Sequence, residues 1–339
     1  MIETDTDIMQ KTEQPLPTSL NDIREPIADE LKKFRVFFKE SLHTDVMLLN
    51  KIIAYLLKTK GKELRPILVF HSARLCGGIT QRTHIAAAMI ELLHTATLIH
   101  DDVVDDAERR RGFLSIPKIF KNKASVLLGD FLLARGLLIA LDNHEYQLLQ
   151  VVSTAVKRMS EGELRQLKAA GLQNMTRQKY FEIISDKTGS LITACCETGA
   201  ISSTDIEEKH KILREVGENI GVAFQIKDDL FDYGGEDTGK PLGNDIRERK
   251  VTLPLIAALE RAGKSDTRHI RHLFRKRKKK QSEVDEIVHF VRENGGMTAA
   301  QEEMNRYAEH AFELLHKFPA TEERHDVENL IRFVITRKK

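Results

Sequence analysis

Cysteine is scarce in this sequence. Cys76, Cys195 and Cys196 are the only three in 339 residues, two of them adjacent and none at metal-ligand spacing. That count rules against a disulfide framework and fits a reduced, cytoplasmic chain with incidental thiols. Proline is scarce too. After Pro15, Pro17 and Pro26 there are only Pro66, Pro117, Pro241, Pro254 and Pro319. The long intervals between them leave room for uninterrupted helices. Strict alternation of Val, Ile and Thr is missing, so strands have little support, and no internal repeat is evident. A net charge of +2 gives no general attraction to nucleic acid or to membranes. The opening Met1-Ile2-Glu3-Thr4-Asp5 is acidic and polar, unlike a signal peptide.

What the sequence does hold is helical periodicity. Leu48, Leu49, Ile52, Ile53, Leu56 and Leu57 form an apolar stripe that ends near Lys60-Gly61. A second helix starts near Pro66 and ends at Gly77-Gly78. The segments Ile85–Ile99 and Val216–Leu230 are apolar almost all round, which predicts central, buried helices. Gly217 and Gly221 would let the second of these approach a neighbour closely. Two further buried helices are expected at Ala124–Leu141 and Tyr180–Gly199. The former carries Asp130 and Arg135, so it is not read as a membrane span. Residues 1–20 read as a mobile tail, and residues 21–339, with no evident linker, as one all-α domain.

Both central segments run into aspartates. The first ends His100-Asp101-Asp102-Val103-Val104-Asp105, the second Lys227-Asp228-Asp229-Leu230-Phe231-Asp232. Asp101 and Asp105, like Asp228 and Asp232, stand four apart and so share a helix face. Like charges at that spacing repel, and the negative end of a helix gives carboxylates no relief. Cations between the clusters would remove the penalty. Hard oxygen donors with no His or Cys among them suggest Mg²⁺, which takes one or two carboxylates and fills its shell from water and phosphates. A diphosphate site would also need fixed positive groups. Candidates are Lys62 and Arg65 in Gly61-Lys62-Glu63-Leu64-Arg65-Pro66, Arg110 and Arg111 after the first cluster, and Lys187 inside a predicted buried helix. Lys240 and Lys250 flank Leu242-Gly243-Asn244-Asp245 after the second cluster.

Taken together, these motifs resemble the trans-isoprenyl diphosphate synthases, the family of farnesyl and polyprenyl diphosphate synthases. The resemblance runs from Gly61 to Pro254 and implies a bundle of long helices around one deep cavity, the isoprenoid synthase fold, in a homodimer. It implies three Mg²⁺ ions held by Asp101, Asp102, Asp105, Asp228, Asp229 and Asp232, with Asp245 assisting through water. It assigns Arg110, Lys187 and Lys240 to the allylic diphosphate, and Lys62, Arg65, His94 and Arg111 to isopentenyl diphosphate. Thr188 and Gln225 match positions facing the reacting carbons, and Lys250 joins the substrate-binding set. The implied reaction is a head-to-tail 1′-4 condensation in which the departing diphosphate is stabilised electrostatically and takes up the final proton. Two loops depart from the common pattern, Phe113-Leu114-Ser115-Ile116-Pro117 after Arg111-Gly112, and Glu248-Arg249 before Lys250.

The growing tail would run back along the first central helix. Ala96 and Thr97, about 6–7.5 Å below Asp101, are small where related farnesyl synthases carry aromatics. Leu93, Leu92, Met89 and Ala88 follow, with Phe131, Leu132 and Leu138 as a second wall. This pattern favours a product of about C35–C40 for quinone side chains, with a geranylgeranyl or farnesyl product as the shorter alternative. A terpene cyclase or a head-to-head synthase would carry different second motifs. A non-catalytic subunit would lack Asp or Arg ligands, and none is lost here. The run Arg275-Lys276-Arg277-Lys278-Lys279-Lys280 reads as a solvated loop or, at most, a peripheral contact with anionic lipid.

Overall fold

The long proline-poor intervals become sixteen α-helices among the described residues of a computed structural model. The structure describes residues 19–58, 61–110, 112–169, 175–234 and 242–337. Most of the expected tail therefore lies outside the described residues. Ser19 and Leu20 do not belong to it, because they open the first helix.

The N-terminal layer comprises α1 (Leu20–Arg24), a 3₁₀ turn at Glu25–Ile27, α2 (Ala28–Ser41), α3 (Met47–Lys58) and α4 (Leu64–Cys76). Next come α5 (Gln81–Val104), a hairpin of β1 (Arg109–Arg110) and β2 (Phe113–Leu114), α6 (Ile116–Asp142) and α7 (Tyr146–Lys168). Then α8 (Arg177–Ile184) leads through a π-helical turn at Ser185–Gly189 into α9 (Ser190–Ile201), followed by α10 (Glu207–Asp232). The remaining helices are α11 (Asn244–Arg247), α12 (Leu253–Arg261), α13 (Lys264–Arg275), α14 (Gln281–Glu293), α15 (Gly296–Leu315) and α16 (Glu322–Thr336). The expectation of no strands needs one amendment. Two residues on either side of Gly112 pair antiparallel, Arg109 with Leu114 and Arg110 with Phe113. Gly112 supplies the positive φ of 83° that so tight a reversal requires.

Periodicity located the central helices well. Every residue of α9 is buried. From Ile85 to Leu93 of α5 only Glu91 escapes full burial. Helix α10 belongs to two apolar cores: Val216 and Ile220 pack in the first, Ile226 and Leu230 in the second. Its glycines allow this. A Cβ on Gly217 would sit 2.7 Å from Thr193 Cα, and one on Gly221 would sit 2.6 Å from Gly189 Cα.

The helix expected at Ala124–Leu141 differs most from its reading. It begins at Ile116, capped by the Ser115 hydroxyl, and is interrupted at Lys121, where φ is 74°. It is also not buried all round. Val126, Leu127, Leu137, Leu138 and Leu141 are exposed, while Leu128, Leu132 and Ala140 face the core. By length and composition it is the one helix among the described residues that could cross a membrane. It nevertheless packs along α5, and Arg135 donates to the Ser41 carbonyl at 2.8 Å.

Candidate active site

The C-terminal turn of α5 points its aspartates in two directions. Asp102 faces inward at 3% exposure, where the Arg110 guanidinium donates through Nε and Nη2, both 2.7 Å from Oδ1. The hairpin thus exists where Arg110 must fold back onto α5. Asp101 and Asp105 are exposed at the mouth of the bundle. Burial of its surroundings pushes the Asp101 carboxyl above its ordinary value. Glu163 and Asp105 add to the rise, while Lys187 and Arg110 oppose it. A carboxylate crowded in this way gains from a cation placed beside it.

At the end of α10 the three aspartates are still less alike. Asp229, at 1% exposure, accepts from the Tyr180 hydroxyl (2.7 Å) and the Gln225 amide (2.9 Å), and its Oδ1 is 3.5 Å from Lys250 Nζ. Asp232 accepts the backbone N–H groups of Asn244 and Asp245, both at 2.9 Å, and so caps the first turn of α11. Both carboxylates are already engaged by internal donors, which differs from the expectation that all three present themselves to a metal. Only Asp228 turns outward, its side chain 41% exposed and its Oδ1 held by Arg337 at 2.6 Å. Burial raises the Asp228 carboxyl as well, opposed chiefly by Arg337.

Asp245 stands 3.5 Å from the same lysine. Burial, with Asp229 and Asp232 nearby, pushes its carboxyl up to about 6, against the pull of Lys250. Between that value and the unfolded 3.8 the folded state holds more protons, so this group favours folding increasingly as pH falls through the window. The melting-temperature difference between metal-free wild type and Asp245→Asn should therefore grow in favour of wild type from pH 7 to about pH 4.5. A difference that stays flat would mean that Asp245 titrates like a surface carboxylate.

The π turn joins the two clusters. It has one residue more than an α-turn needs, a form that recurs at functional sites. Arg158 on α7 fixes it, donating to Asp186 Oδ1 at 3.0 Å and to the Ser185 hydroxyl at 3.1 Å, and Arg165 also pairs with Asp186. From this turn Thr188 donates to Gln225 at 2.8 Å, and Gln225 donates onward to Asp229. Lys187 faces the other way, pairs with Glu163 and lies close enough to Asp101 to act on its charge. Lys187, expected inside a buried helix, is thus half-buried and paired, because the π turn rotates it out of the core toward the mouth.

A cavity of about 350 Å³ opens beside Asp102. Gly61, Glu63, His94 and Arg110 line it, with Phe34, Tyr55 and Leu98 supplying an apolar wall. Lys62 is exposed at the start of α4, and Arg65 is half-buried in its first turn. Two residues that the sequence did not single out hold this loop. Arg24 donates to the Lys62 carbonyl at 2.6 Å, and Arg35 grips Glu63 with a two-point fork at 3.0 and 2.7 Å. That grip stabilises Glu63 in its left-handed conformation, φ 53°. Arg111 and Lys240 lie outside the described residues. Tyr180 and Arg337 were also missed. Nothing local in the sequence marks them, since each reaches its aspartate across the fold.

Below Asp101, the row expected to line the tail faces α6. The His100 ring occupies the notch over Gly129, where a Cβ would come within 2.1 Å of Nε2. One seam further down, a Cβ on Gly136 would meet Leu92 Cβ at 3.9 Å. Ala96, Leu93 and Met89 are buried along this seam, and Thr97 is half-buried.

Among the described residues, no three His, Cys, Asp or Glu side chains converge into a closed metal cage. The carboxylate oxygens at the mouth are hard donors, the type that Mg²⁺ accepts alongside phosphate oxygens and water. Asp101, Asp105 and Asp228 offer the outward-facing oxygens for it.

An all-helical bundle with two aspartate-bearing helix ends opening on one mouth, joined by a Lys-Thr turn, defines the isoprenoid synthase class. The family model described as "Polyprenyl synthetase" matches residues 46–291, and the chain belongs to that family, the trans-isoprenyl diphosphate synthases, which are prenyltransferases. It is 36% identical to octaprenyl diphosphate synthase of Escherichia coli (strain K12) over 255 residues, covering 75% of this chain and 79% of that protein. The crystal structure of a polyprenyl synthase from Caulobacter crescentus CB15, complexed with calcium and isoprenyl diphosphate, superposes with a TM-score of 0.87. It is 32% identical, with coverage of 95% of this chain and 98% of that one. A geranylgeranyl pyrophosphate synthase from Bacteroides thetaiotaomicron superposes with a TM-score of 0.79 at 36% identity, covering 93% and 98%.

Proposed function

We propose that this prenyltransferase is a Mg²⁺-dependent, long-chain all-trans polyprenyl diphosphate synthase. It would condense isopentenyl diphosphate head-to-tail with an allylic diphosphate to about C35–C40, as a cytoplasmic homodimer serving quinone side chains. The observation that carries this reading is the π turn, which ties Lys187 to the Asp101 side and Thr188, through Gln225, to the Asp229 side. Mg²⁺ held by Asp101, Asp105 and Asp228 would supply positive charge against the departing diphosphate. Asp102, Asp229 and Asp232 serve in this reading as positioning carboxylates, and Asp245 and Lys250 as their counter-charges. Arg110, Lys187 and Lys240 bind the allylic diphosphate. Lys62, Arg65, His94 and Arg111 orient isopentenyl diphosphate beside the cavity, where alignment supplies much of the rate. The exposed apolar face of α6 is the natural place for a second copy to pack.

Purified protein incubated with farnesyl diphosphate, isopentenyl diphosphate and Mg²⁺ should yield a ladder ending at one long polyprenyl diphosphate by mass spectrometry. No condensation by folded, metal-supplied protein would overturn the reading and favour a partner-dependent subunit. A geranylgeranyl product is the second reading, favoured by the complete burial of Ala96, Leu92 and Met89 on α5. Ala96→Phe should shorten the product by several isoprene units while the folded fraction, followed by circular dichroism, stays close to wild type. An unchanged product length would show that the tail does not pass Ala96. Of the basic run, Lys276 is paired with Glu283 and Lys279 lies over the Phe274 ring, leaving Arg275, Arg277, Lys278 and Lys280 exposed for the proposed peripheral lipid contact.

A further inference from the structure

The residue that holds Asp228 comes from the far end of the fold. Arg337, at the C-cap of α16, lays its guanidinium on the Phe224 ring, 3.9 Å from the centroid, with the Phe231 ring at 5.6 Å. Its edges are used as well. Nη2 donates to Asp228 Oδ1 at 2.6 Å and to the Phe224 carbonyl at 3.4 Å, and Nε donates to the Val334 carbonyl at 3.3 Å. Only 9% of the side chain is exposed, against 41% for Asp228. Phe224, Asp228 and Phe231 stand at i, i+4 and i+7 on one face of α10, so one planar group covers two rings and the carboxylate between them. A planar, always-charged fork on an aromatic shelf suits that geometry, and a lysine ammonium would lose both the stacking and the second bond.

We propose that Arg337 is a positioning residue of the cation-binding wall: it locks the rotamer of Asp228 through Oδ1 and leaves Oδ2 aimed into the mouth. The inference rests on the reading of Asp228 as a ligand of a cation–diphosphate complex. Removing an outer partner of a ligating side chain typically weakens metal binding about 10–100-fold. Seating of α16 on α10 and the competence of the second aspartate cluster are then one event. Arg337 itself touches no reacting atom.

The test is calorimetric titration of the full chain with Mg²⁺ and inorganic diphosphate, with melting temperature measured alongside. Wild type should bind. Arg337→Met, which keeps an unbranched apolar stem on the ring but removes the fork, should bind about 10–100-fold more weakly. Arg337→Lys should recover part of that loss, and Arg337→Met should add little in an Asp228→Asn background. If both Arg337 variants are folded and bind within about threefold of wild type, the inference is wrong, even if their melting temperatures fall. If Arg337→Met fails to fold, Arg337→Lys alone decides, and unaltered binding by it overturns the proposal. If wild type itself does not bind Mg²⁺ with diphosphate, the underlying reading of the site fails first.

Discussion

Asp228→Ala and Asp229→Ala will part company although the residues are neighbours. Asp228→Ala is expected to lower kcat/KM by about 10²–10³-fold, the usual loss when one preorganised charge at a reacting centre is removed, with a melting temperature near that of wild type. Asp228 is two-fifths exposed, and Arg337 keeps its ring shelf and carbonyl acceptors without it. Asp229→Ala should lose comparable activity and also about 3 kcal/mol of stability, because it leaves the buried Tyr180 hydroxyl without its acceptor and removes one of the two carboxylates beside Lys250, with only Asp245 remaining. Steady-state kinetics with parallel thermal melts separate the two. Equal melting temperatures for both variants would show that Asp229 is not the hub the geometry makes it.

That contrast was not legible in the sequence. The spacing of Asp228, Asp229 and Asp232 tells that they close a helix, and two such closures tell of a cation site. Which carboxylate faces the mouth depends on donors from elsewhere: Tyr180 on α8, the amides of Asn244 and Asp245, and Arg337 on α16. Long-range partners leave no local period. For the same reason α5 and α10 could be located by their all-round apolar character, whereas the half-open face of α6 could not. An apolar residue that meets solvent or a second chain looks in sequence like one that meets a core. The Lys-Thr pair was visible, but the π turn that rotates Lys187 outward was not, since a helical pattern with one extra residue still reads as helical.

The second large effect is expected at Gly221. Its Cα faces the π turn so closely that an added Cβ would lie 2.6 Å from Gly189 Cα and 3.2 Å from Gly189 O. Both obstacles are backbone, so neither can swing away. Gly221→Ala should cost about 1–3 kcal/mol as overpacking and push the turn away from α10, lengthening the Thr188–Gln225 bond. A displacement near 1 Å at that position is worth about 10²-fold in kcat. Gly217→Ala is the control. Its Cβ would press on Thr193 Cα at 2.7 Å, beyond the π turn. A similar drop in melting temperature with a much smaller loss of kcat is expected there. If the two variants lose kcat alike, the turn is not what the contact at Gly221 sets.

The π turn at Ser185–Gly189 has an implication for sequence change. Each residue advances a helix by about 100°, so deleting one there would restore an unbroken helix and swing everything before it around the axis. Tyr180 would leave Asp229 while Thr188 still reached Gln225. The two halves of the site are held in phase by a local irregularity, so a deletion that improves the helix should damage the enzyme. A one-residue gap at this turn would make the helix regular only at the cost of the buried Tyr180–Asp229 bond and of the phase between the two halves of the site.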